Sequence, residues 1–194
     1  YATVIRGDVK TKAGLFKTHR IGSRLYFEIP RAELGRDQLI ETQIAKTSEG
    51  QGYGGQQIDD RVIRWERRDH RVLLRAVSYA IIADPSEPVA RAVESANYDA
   101  ILGAFNVAAY GPASAAVIEV TRLFPAPPTE ISVTQRYRGT IDAARSFIDR
   151  VAAYPINVEV EATLTLNVTP APQSPFPGFP AAPVTPGAPT ETKS

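Results

Sequence analysis

From Asn157 to Val168 polar and apolar residues alternate without a break, and this row constrains the fold more than any other feature of the chain. Val158, Val160, Ala162, Leu164, Leu166 and Val168 fall on one side of an extended backbone. Asn157, Glu159, Glu161, Thr163, Thr165 and Asn167 fall on the other. Side chains alternate across a strand with a period of two, so the row predicts one strand with a buried face and a firm register. A helix would scatter the same residues around its whole circumference.

The same reasoning finds hairpins upstream. Leu15 to Ile21 and Arg24 to Ile29 flank Gly22-Ser23, a two-residue link suited to a tight turn. In the second arm Leu25, Phe27 and Ile29 share one face and Arg24, Tyr26 and Glu28 the other, and Pro30 ends it by removing a ladder donor. Leu39 to Lys46 reads as the next strand, followed by a glycine-rich loop over 47–57. Arg61 to Arg67 and Arg71 to Ile81 read as a second hairpin that turns at Arg68-Asp69-His70. Its Ile63 and Trp65 point away from Val62, Arg64 and Glu66. Ala100 to Tyr110 and Ala115 to Leu123 form a third pair around Gly111-Pro112.

Two short helices are expected between these strands. Ser86 is placed to cap one in which Val89, Ala92, Val93 and Ala96 share a face; Ala144, Phe147, Ile148 and Val151 repeat the spacing ahead of Pro155. Two isolated helices among so many strands do not make alternating βαβ units. The expected class is mainly β or α+β, with antiparallel sheets built from hairpins.

The chain divides into an N-terminal extension (1–13), a β-rich domain (14–169) and a proline-rich tail (170–194). The tail is rich in Pro, Ala, Gly and Thr and has no composition for a core of its own. Pro177, Pro180, Pro183, Pro186 and Pro189 recur every third residue, which would line them along one edge of a polyproline II helix. Phe176 and Phe179 are its large apolar anchors. Together with Pro177, Pro180, Pro183 and Pro186 they are the candidate contacts of a docking arm on a protein partner.

Lys and Arg number 22 against 21 Asp and Glu, so the chain lacks the long-range field of a nucleic-acid binder. Cysteine is absent, which removes disulfides, thiol catalysis and thiolate metal sites. Methionine is absent too, so Tyr1 is expected to follow a removed leader or to begin an internal piece. No apolar run approaches the length of a membrane span. Gly50, Gly52 and Gly55 match G-x-G-x-x-G, but a strand follows where a dinucleotide site needs a helix. His19 and His70 are the only imidazoles; His70 sits in a charged turn, and His19 reads as a surface or satisfied interior residue. Neither belongs to a zinc motif. No Ser lies in G-x-S-x-G or S-x-x-K. Arg61, Arg64, Arg67, Arg68, Arg71 and Arg75 crowd one hairpin, yet Glu66 and Asp69 lie among them, and cross-strand ion pairs are the expected arrangement. No catalytic, metal or cofactor-binding residue is therefore assigned.

A run of phrases carries a resemblance: Gly14-Leu15-Phe16, Tyr26-Phe27-Glu28-Ile29-Pro30, Leu34-Gly35-Arg36-Asp37, and Ala45-Lys46-Thr47 leading into Gly52-Tyr53-Gly54-Gly55. Arg64-Trp65-Glu66-Arg67, Val72-Leu73-Leu74-Arg75 with Val77-Ser78-Tyr79, and Arg145-Ser146-Phe147-Ile148 continue it in order. Over residues 11–168 the chain resembles the N-terminal domain of unknown function that precedes the catalytic domain in bacterial exported zinc-dependent metalloproteases of the metzincin-like type. The resemblance implies an extracytoplasmic setting, in the periplasm or on the outer surface of a bacterium. It also implies a non-catalytic, propeptide-like role, because the zinc motif of that family lies in a later domain. The implied partner is the metalloprotease domain of the parent chain. The alternative is a structural or scaffold subunit, a processed fragment docked on a larger membrane-associated assembly.

Overall fold

The computed structural model describes residues 1–48, 53–79, 84, 86–90, 93 and 98–168. Eight strands form one sheet: β1 (Val9–Lys12), β2 (Lys17–Ile21), β3 (Arg24–Ile29), β4 (Asp37–Ile44), β5 (Gln56–Arg68), β6 (Arg71–Ala76), β7 (Ala100–Tyr110) and β8 (Ala116–Glu119). Their order is β1-β2-β3-β8-β7-β6-β5-β4. Every neighbouring pair is antiparallel. The fold is thus mainly β and built from hairpins, with Ile21 opposite Arg24 across the expected Gly22-Ser23 turn.

The sheet is strongly curled. In the strand order β3 and β5 are four steps apart, which would separate them by about 19 Å in a flat sheet with strands 4.8 Å apart. The rings of Phe27 on β3 and Trp65 on β5 nevertheless lie 6.4 Å apart between centroids. Only a sheet rolled toward itself brings them together. Phe16 and Phe105 pack on the same indole at 6.3 and 5.8 Å, and Phe124 packs on Phe27 at 6.0 Å. Around these rings Leu25, Ile29, Ile63, Val72, Leu74 and Ile118 form the buried inner face. Ile63 and Trp65 point inward, as their alternation requires, while Val62, Arg64 and Glu66 point out.

Two small sheets complete the fold: β10 (Phe147–Ala153) with β11 (Val158–Thr163), and β9 (Thr140–Ile141) with β12 (Leu166–Asn167). Two expectations are corrected here. The helix expected from Ala144, Phe147, Ile148 and Val151 is strand β10, preceded only by a three-residue 3-10 turn at Ala143–Arg145. A bulge between Ile148 and Arg150 inserts one extra residue, so Ile148 and Val151 both face the core although they are three apart. That spacing imitates a helical face. The helix expected from Ser86 to Ala96 runs through residues 91–92 and 94–97, which lie outside the described residues.

The alternating row of Asn157 to Val168 keeps its polarity but is not one strand. Between β11 and β12 the Thr165 N–H donates to Ser146 Oγ at 3.0 Å, and its hydroxyl donates to the Arg145 carbonyl at 2.8 Å. These bonds move the chain from one small sheet to the other. The apolar face is also only partly covered: Val158 and Val160 pack on the core, and Val168 is exposed.

The β10-β11 hairpin docks on β1 and β2 through its main chain. Arg20 donates to the carbonyls of Ile148 and Asp149 at 2.7 and 2.8 Å, and Lys12 donates to that of Val151 at 2.8 Å. Gly14 lets the two backbones meet, since a Cβ there would lie 2.6 Å from the Tyr154 carbonyl oxygen. Gly14→Val should therefore lower stability by about 2 kcal/mol or more, the scale of overpacking a closed site. A shift in the urea midpoint checks it; an unchanged midpoint would show that the hairpin moves aside freely.

Candidate functional site

The arginine-rich hairpin forms the outward face of β4 to β7. One cross-strand row runs Asp37, Arg64, Arg75, Ile101 from β4 to β7. Two arginines face each other in it, which would be destabilising without compensation. The compensation is complete. Asp37 accepts from Arg64 Nε at 2.7 Å, Asp99 lies 3.9 Å from the same guanidinium, and Glu66 accepts from Arg75. The Tyr79 hydroxyl donates to Asp37, and Arg75 donates to the Tyr98 hydroxyl at 3.2 Å beneath the Tyr98 ring. The Tyr79 hydroxyl, aided by Arg64, holds the Asp37 carboxyl below its ordinary range against the opposing effect of burial.

Around the ion-paired Arg64 and Arg75 this face also presents apolar and amphipathic groups. Leu39 is 66% exposed and Ile101 50% exposed, and Tyr79 and Tyr98 stand above the paired arginines. On the other face of the sheet, where Arg67 shares a row with Val72 and Phe105, its guanidinium lies 4.8 Å from the ring centroid of Tyr110. Tyr and Arg are the residues most often found at the energetic centre of protein interfaces.

A second cluster lies on the outward face of β1, β2 and β3. Glu28 and His19 are almost fully buried, at 3% and 1% exposure. Glu28 accepts from the Tyr1 hydroxyl at 2.8 Å and Lys17 Nζ at 3.0 Å, and its Oε2 is 3.0 Å from His19 Nε2. Thr11 Oγ1 is 2.9 Å from His19 Nδ1. Burial alone would raise the Glu28 pKa, but the bonds from Tyr1, Lys17 and His19 together outweigh it and hold the carboxyl below 4.5. The Tyr1 phenol is pushed up to about 12 by burial and then by the Glu28 carboxylate. Gly111 closes the site, as a Cβ there would lie 2.8 Å from the Glu28 carboxylate. Hydroxyl, imidazole and carboxylate thus stand in line. Every polar atom of the line is satisfied from within, so the cluster fastens the N-terminal segment to the sheet.

His19 is a satisfied interior residue, whereas His70 lies exposed in the β5-β6 turn. Phe176, Phe179, Pro177, Pro180, Pro183 and Pro186 lie outside the described residues, as do Gly50 and Gly52. The Glu28 cluster was missed from sequence, although a signal for it exists. A two-residue turn at Gly22-Ser23 places Lys17 opposite Glu28 and His19 opposite Tyr26, all on one face.

A family model for a domain of unknown function, DUF5117, matches residues 55–188, well over half of the chain. The chain belongs to the DUF5117 family. A second domain of unknown function, DUF5118, matches residues 1–47. Strands β1 to β4 fall in the DUF5118 segment and β5 to β8 in the DUF5117 segment, yet β3 pairs with β8 and β4 with β5. The two matched segments therefore share one sheet. No curated protein and no solved structure matches the chain.

Proposed function

We propose that this DUF5117 chain is a non-catalytic, propeptide-like accessory module of an exported bacterial zinc metalloprotease-like protein, working outside the cytoplasm by packing against the zinc domain. The observation that carries the packing role is the outward face of β4 to β7. Its facing Arg64 and Arg75 are ion-paired within the face, and its exposed Leu39, Ile101, Tyr79 and Tyr98 remain available to a partner. The metalloprotease context rests on the sequence resemblance. The proline-rich tail, with Phe176 and Phe179, supplies a second, extended contact in the same reading.

The test is titration of the chain against the zinc-motif domain of its natural polypeptide. Leu39→Asp combined with Ile101→Asp should weaken association by about tenfold or more, since each places a charge in a desolvated contact. Both residues are exposed, so the melting temperature should hardly move. Absence of binding by the unaltered chain would end this reading. A natural polypeptide with an intact mass near 21.1 kDa would favour the structural-subunit alternative.

A further inference from the structure

The N-terminal segment also roofs a cleft of about 350 Å³ against the outward face of β2, β3 and β8. Arg6 enters it from the roof and Arg24 from the sheet. Neither guanidinium has an acidic partner among the described residues. This contrasts with the β4 to β7 face, where Arg64 and Arg75 are both ion-paired. The cleft's carboxylate is Glu119, and it is committed elsewhere. Its Oε2 accepts from the Tyr26 hydroxyl at 3.2 Å and its Oε1 from the Thr121 hydroxyl at 3.1 Å. Arg24 instead lies 5.9 Å from the centroid of the Tyr26 ring.

We propose that this cleft binds a monocarboxylate carrying a short aliphatic group. A free guanidinium fork matches a carboxylate or a phosphate. Charge separates the two: the two arginines against Glu119 leave one net positive charge, which a monoanion balances and a dianionic phosphate exceeds. Val4, Ile21 and Ala108 supply an apolar wall for the aliphatic part. The volume lies near the lower end of small-molecule sites, roughly 300–1,000 Å³, and fits a ligand of one or two residues. A free branched-chain acid and the C-terminal residue of a peptide share this chemistry.

The test uses isovalerate, N-acetyl-alanyl-leucine, the amide of that peptide and inorganic phosphate, each titrated into the whole chain and followed by amide shifts at Thr3, Ala108 and Glu119. One or both acids should saturate these shifts, while the amide, which lacks the charge, and phosphate, which lacks an aliphatic group for the apolar wall, should bind at least about tenfold more weakly. Tighter binding of the peptide acid would identify a peptide C-terminus as the source, and equal binding a free acid. Arg6→Gln and Arg24→Gln should each weaken the acids by about tenfold, and the surface control Arg31→Gln should not. The proposal is overturned if neither acid saturates, if phosphate or the amide binds equally well, or if Arg31→Gln is as damaging as the cleft variants. Arg6 and Arg24 are exposed, so all three variants should melt with the unaltered chain.

Discussion

Trp65→Ala should lower the free energy of unfolding by about 3–5 kcal/mol, which is the cost of emptying a large aromatic site in a core. For a domain whose whole stability is about 5–15 kcal/mol, such a loss approaches unfolding. Trp65 is 2% exposed and touches Phe16, Phe27 and Phe105, so its removal takes away the contact that joins the two sides of the curled sheet. Trp65→Phe should be far milder. The indole Nε1–H is buried without a hydrogen-bond partner among the described residues, and leaving such a donor unpaired costs about 1–3 kcal/mol. Phenylalanine loses some volume but relieves that cost. Phe147→Ala, at a site 55% exposed, serves as the control and should change the urea midpoint little. Equal losses for Trp65→Ala and Phe147→Ala would mean that the ring cluster is not the centre of the core.

Glu28→Ala is expected to cost about 1–3 kcal/mol, because it leaves the buried His19 without its carboxylate partner and releases the more exposed Lys17 and Tyr1. His19 would lose its carboxylate acceptor, and Lys17 and Tyr1 would lose theirs. Glu28→Gln keeps the shape against Gly111 and should cost less, but it should alter the pH dependence. In the folded chain the Glu28 pKa lies below 4.5. Its contribution is thus present in full above that value and is lost as pH falls through the folded pKa. Acid titration of the unfolding midpoint should show this loss in the unaltered chain and a shallower slope in Glu28→Gln. Tyr1 acts with the opposite sign. Its folded pKa is raised from 10.0 to about 12, so its contribution is intact below pH 10 and fades between those values. A phenol titrating at 10.0 in the native chain would show that the N-terminal segment is not fastened to Glu28.

The hairpins were legible in the sequence because everything that defines them is local. Gly22-Ser23, Asp69-His70 and Gly111-Pro112 mark turns, and period-two alternation on either side sets which residues share a face. The succession of hairpins without βαβ alternation likewise led to an antiparallel, mainly β fold. The errors have one physical source: a non-local pairing changed a local period. The bulge at Ile148/Arg150 exists because β10 must match β11, and it converted a strand into the spacing of a helix. The row ending at Val168 was divided because Ser146 and Arg145 hold the main chain at Thr165.

The candidate sites divide in the same way. Lys17 and Glu28 are opposed by a short turn, so their pairing was determined by sequence alone. The proximity of Tyr1, Thr11 and Gly111 to that pair was not, because it depends on how the N-terminal segment and the β7-β8 connection fold over the sheet. The arginine cluster was visible as composition, and the pairing of some of its members was foreseeable from Glu66. The role of Asp37 came only with β4 beside β5, and that of Asp99 only with β7 beside β6. Sequence by itself determined most strands of the large sheet, their faces and their turns. Tertiary structure decided the curl that places Phe27 against Trp65, and the path of the N-terminal segment that brings Arg6 and Arg24 to one cleft without an acidic partner among the described residues. Contacts between residues far apart in the chain depend on strand order and on the roll of the sheet, and no local pattern encodes either.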